Sequence, residues 1–213
     1  MTWGGVRTGP FLETALSYAR LVPSPVAHSL AGLAIARVAH SHQWISGRWL
    51  GIGLVLLTAN AADLDFLPGL LLHGRPDWFH HGPTHSLLAA ALVALASGAI
   101  ALAAGASAIR VGAIFGLAYL SHIALDFMTV AVTDTSDMPL LWPFSYRLFS
   151  PPVEIFLPIR HISRRTTFFA GLFSWANVVA IGREFLVMGG LWVVWLGARA
   201  LRSRTPSRSS RRT

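Results

Sequence analysis

The sequence predicts an all-α fold, an integral membrane helical bundle of about five helices with a long loop after the fourth, and three observations carry that prediction. Of the 213 residues, 54% are hydrophobic and 12% are charged, which is more apolar and less charged than a soluble domain. Apolar segments recur between short polar connections, and the longest reach the roughly 20 residues needed to cross a bilayer core. Histidine and aspartate gather where those segments begin and end. The length suits one compact bundle, and no fixed-period repeat supports the paired bundles of a transporter. Residues 1–201 are therefore expected to form a single membrane-embedded domain, with residues 202–213 a disordered basic tail.

The elements follow in order. Residues 1–23 lack a continuous apolar core, so a cleaved signal peptide is not expected. Phe11, Leu12, Ala15, Leu16 and Ala19 instead recur at helical spacing opposite Glu13, Ser17 and Arg20, which predicts a short interfacial helix ended by Pro23 and Pro25. The first spanning segment is expected over residues 26–39 and the second over 50–62, both short enough that their polar ends count towards the span. The third, 86–104, and the fourth, 111–128, are long enough outright. Pro83 favours a helix start there, because it fixes φ for a first helical turn. Residues 129–166, rich in Pro, Ser and Asp, read as a long extramembrane loop, the kind that is functional or disordered. Residues 167–201 are apolar but interrupted by Arg183-Glu184, and read either as one tilted helix or as two half-spans.

The chain has no cysteine, so thiolate ligands and disulfides are excluded and any metal must be held by imidazole and carboxylate. All seventeen basic residues are arginine, as a high-GC genome produces. Only nine residues are acidic, yet Asp63, Asp65 and Asp126 lie in or against apolar helices, where an ionised carboxylate is costly unless paired or coordinated. The histidines are skewed in the same way. His28 begins the first segment, Asp63 and Asp65 end the second, His80, His81 and His85 flank the start of the third, and His122 with Asp126 ends the fourth. Start, end, start, end of antiparallel helices is one membrane face.

His122 and Asp126, four apart, share a helix face. His80 and His85 straddle Gly82-Pro83, so a turn must bring them together. Thr84 is placed to cap the following helix or to bond the second nitrogen of a ligand. Asp63 and Asp65 can bridge metals or orient a neighbouring histidine. Such a set suits Zn²⁺, with Mn²⁺ or Fe as alternatives, and its size suits two or three divalent ions. Clustered ions activate water and clamp phosphoryl or acyl oxygens, so hydrolysis is the expected chemistry, with Asp63, Asp65, His85 and Thr84 as its catalytic residues. His40 and His42 are expected to be solvated, Trp142 to anchor the loop at the interface, His73 and Asp77 to lie in the loop before the site without a part in it, and Arg183-Glu184 to form a neutralising pair.

The pieces Ala27-His28-Ser29, Asp63-Leu64-Asp65, His80-His81-Gly82-Pro83-Thr84-His85-Ser86, Ser121-His122-Ile123-Ala124-Leu125-Asp126 and Pro139-Leu140-Leu141-Trp142-Pro143-Phe144-Ser145 together resemble the bacterial inner-membrane metal-dependent hydrolases described as LexA-binding. That family usually carries Arg at the position of His81, which leaves His81 outside the ligand set, and Pro at the position of Ala62. The family is in turn distantly similar to zinc-dependent phospholipase C. The likeness implies His28, Asp65, His80, His85, His122 and Asp126 as ligands and a lipid or other phosphoester as substrate.

A multi-pass protein of the bacterial inner membrane follows as the expected location. Arg7, Arg20, Arg75, Arg147, Arg160, Arg164 and Arg165 flank the site face, against Arg48, Arg110 and Arg37 elsewhere, which predicts a cytoplasmic site. A single crossing by residues 167–201 would put the basic tail opposite it. Membrane lipids are the expected surroundings, nucleic acid is not an expected partner, and the loop or tail offers a surface for a protein partner. Two other classes fit less of the pattern: an ion or proton transporter, and a non-catalytic membrane regulator with a structural metal.

Overall fold

A computed structural model describes residues 24–44, 47–74, 78–129, 138–150, 153–159 and 168–204. Among them the chain is all-helical, with two isolated bridges, Thr129 to Phe156 and Met138 to Phe149, and no β-strand. The N-terminal interfacial helix, Asp77 and the tail beyond Arg204 lie outside the described residues.

Helix α1 (Pro25–Ser41) starts where the sequence places it: the Ser24 hydroxyl accepts from the Val26 N–H, and Pro25 occupies the first turn, where its missing N–H is no loss. Helix α2 (Arg48–Ala59) follows Gly47, whose φ of 72° is the left-handed conformation glycine accepts freely. A 3₁₀ turn (Ala62–Asp65) leads into α3 (Phe66–His73), ended by Gly74. Helix α3 was not expected. Asp63 and Asp65 interrupt the hydropathy, but the apolar run resumes at Phe66, and Pro68 falls in the first turn, where a helix tolerates it. The bend between α2 and the 3₁₀-α3 unit is 54°.

A second 3₁₀ turn (Pro83–His85) precedes α4 (Leu87–Ala103), and α5 is Ala108–Phe127. The cap of α4 is Ser86, which accepts from the Ala89 N–H at 3.2 Å, so Thr84 is not the capping residue. The region 167–201 breaks into α6 (Phe168–Leu172) and the 30-residue α7 (Trp175–Arg204). By length and composition α5 and α7 can each cross a membrane, and the bent α2–α3 pair makes a third candidate. Helix α4 is shorter than expected; its 17 residues rise only about 25 Å against a hydrocarbon core of about 30 Å.

Helix α5 is the centre, packed against α1, α2 and α4, while α7 packs on α1. Small residues allow this. A Cβ on Gly112 of α5 would come within 2.7 Å of the Ala94 carbonyl oxygen of α4, so the two backbones touch. Ala36, Ala39, Val55, Ala59, Ile114 and Ala118 join α1, α2 and α5. The loop after α5 is fastened to the site end: the Leu87 N–H donates to the Leu140 carbonyl at 2.9 Å, the Ile155 N–H to the Met128 carbonyl at 2.7 Å, and Met138 and Phe156 are buried. Helix α7 buries one stripe, Asn177, Ala180, Glu184 and Met188, and leaves Phe185, Leu186, Val193 and Val194 exposed, the pattern of a helix whose other faces meet lipid.

Candidate metal centre

The first turn of α1, the 3₁₀ turn after α2, the residues before α4 and the last turn of α5 meet at one end of the bundle, and every predicted ligand is found there. His28, His80, His85 and His122 are buried, as are Asp65 and Asp126. Asp126 is the hub. Its Oδ1 lies 3.2 Å from His28 Nε2, and its Oδ2 lies 3.1 Å from both His85 Nε2 and His122 Nε2. Asp63 Oδ1 is 3.3 Å from His122 Nε2, 3.8 Å from His85 Nε2 and 3.9 Å from His80 Nε2. The His28 and His122 rings stack with centroids 3.9 Å apart.

Close as these atoms are, Nε2 of His28, His85 and His122, Asp63 Oδ1 and both Asp126 oxygens are buried with no hydrogen-bond partner. Buried polar atoms are hydrogen-bonded in the great majority of cases. Nitrogens and carboxylate oxygens that converge without hydrogen-bond geometry are what a shared cation requires, and the donor set is all imidazole and carboxylate. The residues fit a divalent metal.

Among the described residues two groups of side chains can hold an ion, Asp63, His85, His122 and Asp126 in one, and Asp65, His80 and His85 in the other. Their hydrogen bonding separates them. Asp65 is already engaged: its Oδ1 is 2.7 Å from His80 Nδ1, and its Oδ2 accepts from the Thr84 hydroxyl at 2.6 Å and lies 3.2 Å from His85 Nδ1. A neutral imidazole has one lone pair, so His85 cannot serve both groups at once. Asp65 and Thr84 thus turn His80 and His85 so that Nε2 faces the first group, the orienting role that carboxylates play behind metal-bound histidines. His122 is turned likewise, its Nδ1 lying 2.9 Å from the Ala59 carbonyl. Asp65→Asn is expected to keep the fold and weaken metal affinity about 10- to 100-fold, read by titration against a competing chelator.

Burial, and then the neighbouring imidazoles of His80 and His85, push the His81 ring well below the ordinary histidine range. For His85 burial also opposes protonation, but contact with Asp126, Asp63 and Asp65 outweighs it and holds the ring well above that range.

The structure corrects several expectations. His81, set aside in the sequence reading, is buried beside His80 and His85 with ring centroids 4.6 and 4.8 Å away. His73 is the last residue of α3 and not part of a loop, and it is exposed and stacked on Trp78. His40 and His42 are exposed, as expected. Glu184 does not pair with Arg183. It is fully buried and accepts from the Ser24 N–H at 2.6 Å, the Ser24 hydroxyl and the Ala27 N–H at 3.2 Å, so a carboxylate on α7 caps α1 one residue before His28. Cation-free caps of this kind complement the positive end of the helix. Glu184→Ala leaves the Ser24 N–H and hydroxyl buried and unmet, while the Ala27 N–H keeps the Ser24 carbonyl at 3.1 Å, and is expected to cost about 3 kcal/mol, seen as a lower unfolding midpoint in detergent. Tyr119, also unforeseen, donates to the Thr84 carbonyl at 2.9 Å and ties the second 3₁₀ turn to α5. A tyrosine one turn before His122 on the same helix is the only sequence signal that pointed to it.

A family model described as YdjM inner membrane protein matches residues 24–204 of the chain. The chain belongs to the YdjM inner membrane protein family. No curated protein and no solved structure matches it. The YdjM match covers every element of the metal centre, from Ser24 through α7, and agrees with the apolar helices in placing the chain in a membrane.

Proposed function

We propose that this YdjM family member is a multi-pass, metal-dependent hydrolase of phosphoesters, with a lipid as its substrate and its centre at the cytoplasmic face of the inner membrane. The observation that carries the reading is the set of buried, converging and mutually unbonded donors on His28, Asp63, His85, His122 and Asp126. Together with His81, six residues present such atoms, more than one four-coordinate zinc can use, which supports a pair of ions, zinc fitting the donor types best. When bound, divalent ions supply Lewis-acid polarisation and water activation at neutral pH.

The chain's own residues divide the remaining work. Asp65 and Thr84 fix the His80 and His85 rings. Asp63, whose side chain is 17% exposed where His28 and Asp126 have none, marks the side from which substrate enters and is placed to accept the proton of the attacking water. A lipid is supported by a cavity of about 460 Å³ between α1, α5 and α7, lined by Ala31, Ile35, Leu117, Ser121, Met188 and Trp192 among others. Its near end, Ala31 and Ser121, adjoins the turns that carry His28 and His122. The sequence resemblance to LexA-binding hydrolases and to phospholipase C supports the same chemistry, and the arginines that the order of segments in the sequence assigns to the site face support the cytoplasmic side.

The test is turnover by detergent-purified protein of p-nitrophenyl phosphodiesters and of phospholipids in mixed micelles. Hydrolysis lost to a chelator and restored by Zn²⁺ is expected. No turnover under any metal, together with ion flux in proteoliposomes that disappears in Asp126→Asn, would replace the hydrolase reading with a transporter.

A further inference from the structure

We propose that His81 is a further ligand of the metal centre, presented by a left-handed backbone turn. This rests on the metal reading above and extends it to a residue outside the expected ligand set.

The turn runs from Phe79 to Gly82, closed by the Gly82 N–H donating to the Phe79 carbonyl at 3.1 Å. His81 is its third residue and has φ of +57°. That position favours glycine or asparagine, because a Cβ is strained there. Gly82 is also constrained, since a Cβ on it would lie 2.7 Å from the Phe79 carbonyl oxygen, so the turn cannot relax by moving its neighbour. Ordinary helical or extended backbone sends adjacent side chains in different directions. The left-handed residue lets His80 and His81 enter the same buried space, with ring centroids 4.6 Å apart.

What the ring meets there is unusual for a core histidine. It is buried, and neither Nδ1 nor Nε2 has a hydrogen-bond partner. Its Nε2 lies 3.9 Å from Asp126 Oδ2, the oxygen that also faces His85 and His122. A polar ring held on strained backbone and left unsatisfied next to a carboxylate hub is doubly unfavourable unless something binds it. The ion that Asp126 attracts is the partner within reach.

The experiment compares wild type, His81→Gly, His81→Asn and His85→Ala, each purified in detergent, stripped with chelator and titrated with Zn²⁺ and Co²⁺. Glycine and asparagine both accept the left-handed turn, so the metal-free unfolding midpoint of these variants is expected to match or exceed wild type. Zn²⁺ affinity is expected to fall at least about tenfold, and the visible spectrum of the Co²⁺ form to change with the loss of one imidazole. A purely structural histidine gives the reverse pattern, with altered metal-free stability and unchanged metal binding. If both His81 variants bind metal as wild type does while His85→Ala does not, the assignment of His81 is wrong and the metal centre stands. If wild type itself takes up neither ion, both fall together.

Discussion

Replacing His85 by alanine is expected to reduce Zn²⁺ affinity more than about 100-fold, beyond the loss typical of an orienting residue, and to bring phosphoester turnover to background. His85 is fully buried, with Nε2 3.1 Å from Asp126 and Nδ1 between Asp65 and the Thr84 hydroxyl at 3.2 and 3.0 Å. It is the residue through which the orienting hydrogen bonds reach the donor cluster. The same variant should lose the thermal stabilisation that saturating metal gives; at 100 times Kd that amounts to about 2.7 kcal/mol. A pH dependence follows with a definite sign. Because its carboxylate neighbours raise the His85 pKa, the proton on His85 stabilises the metal-free fold fully below the unfolded value and ceases to do so as pH rises through the folded one. Metal must displace that proton, so affinity rises with pH through and above neutrality. Calorimetric titration in buffers of different ionisation enthalpy would register proton release on binding.

Asp126→Asn is expected to have an effect of similar size by a different route. The side chain keeps its shape but loses the charge that faces three imidazoles at 3.1 to 3.2 Å, and half of its polar end becomes a donor aimed at ring nitrogens. We expect metal uptake to fall about 100-fold or more with the helical circular dichroism unchanged, because α5 is held by its packing on α1, α2 and α4 and not by this carboxylate. Elemental analysis of Asp126→Asn after incubation with excess Zn²⁺ checks it; a full complement of zinc would show that Asp126 is not a ligand.

The convergence of His28, Asp63, Asp65, His80, His85, His122 and Asp126 was legible in the sequence because alternating helix ends must share a face in an antiparallel bundle, whatever the details of packing. The roles within the group were not. Whether Asp65 meets an ion or a histidine depends on differences of an ångström between Oδ1, Oδ2 and two Nδ1 atoms. Helix α3 was hidden because two carboxylates broke the hydropathy on which a span is recognised. His81 was hidden because its direction depends on a backbone angle that residue type does not announce. Glu184 was hidden for a different reason: its partners Ser24 and Ala27 are 160 and 157 residues away, and an adjacent arginine supplied a simpler explanation for it.

Elemental analysis of the detergent-purified wild-type chain tests the central claim most directly. The donor cluster predicts at least one Zn²⁺, Mn²⁺ or Fe ion per chain, removed by chelator and regained on titration. A wild-type protein that is folded, free of metal as purified and unable to take up any of the three would contradict it.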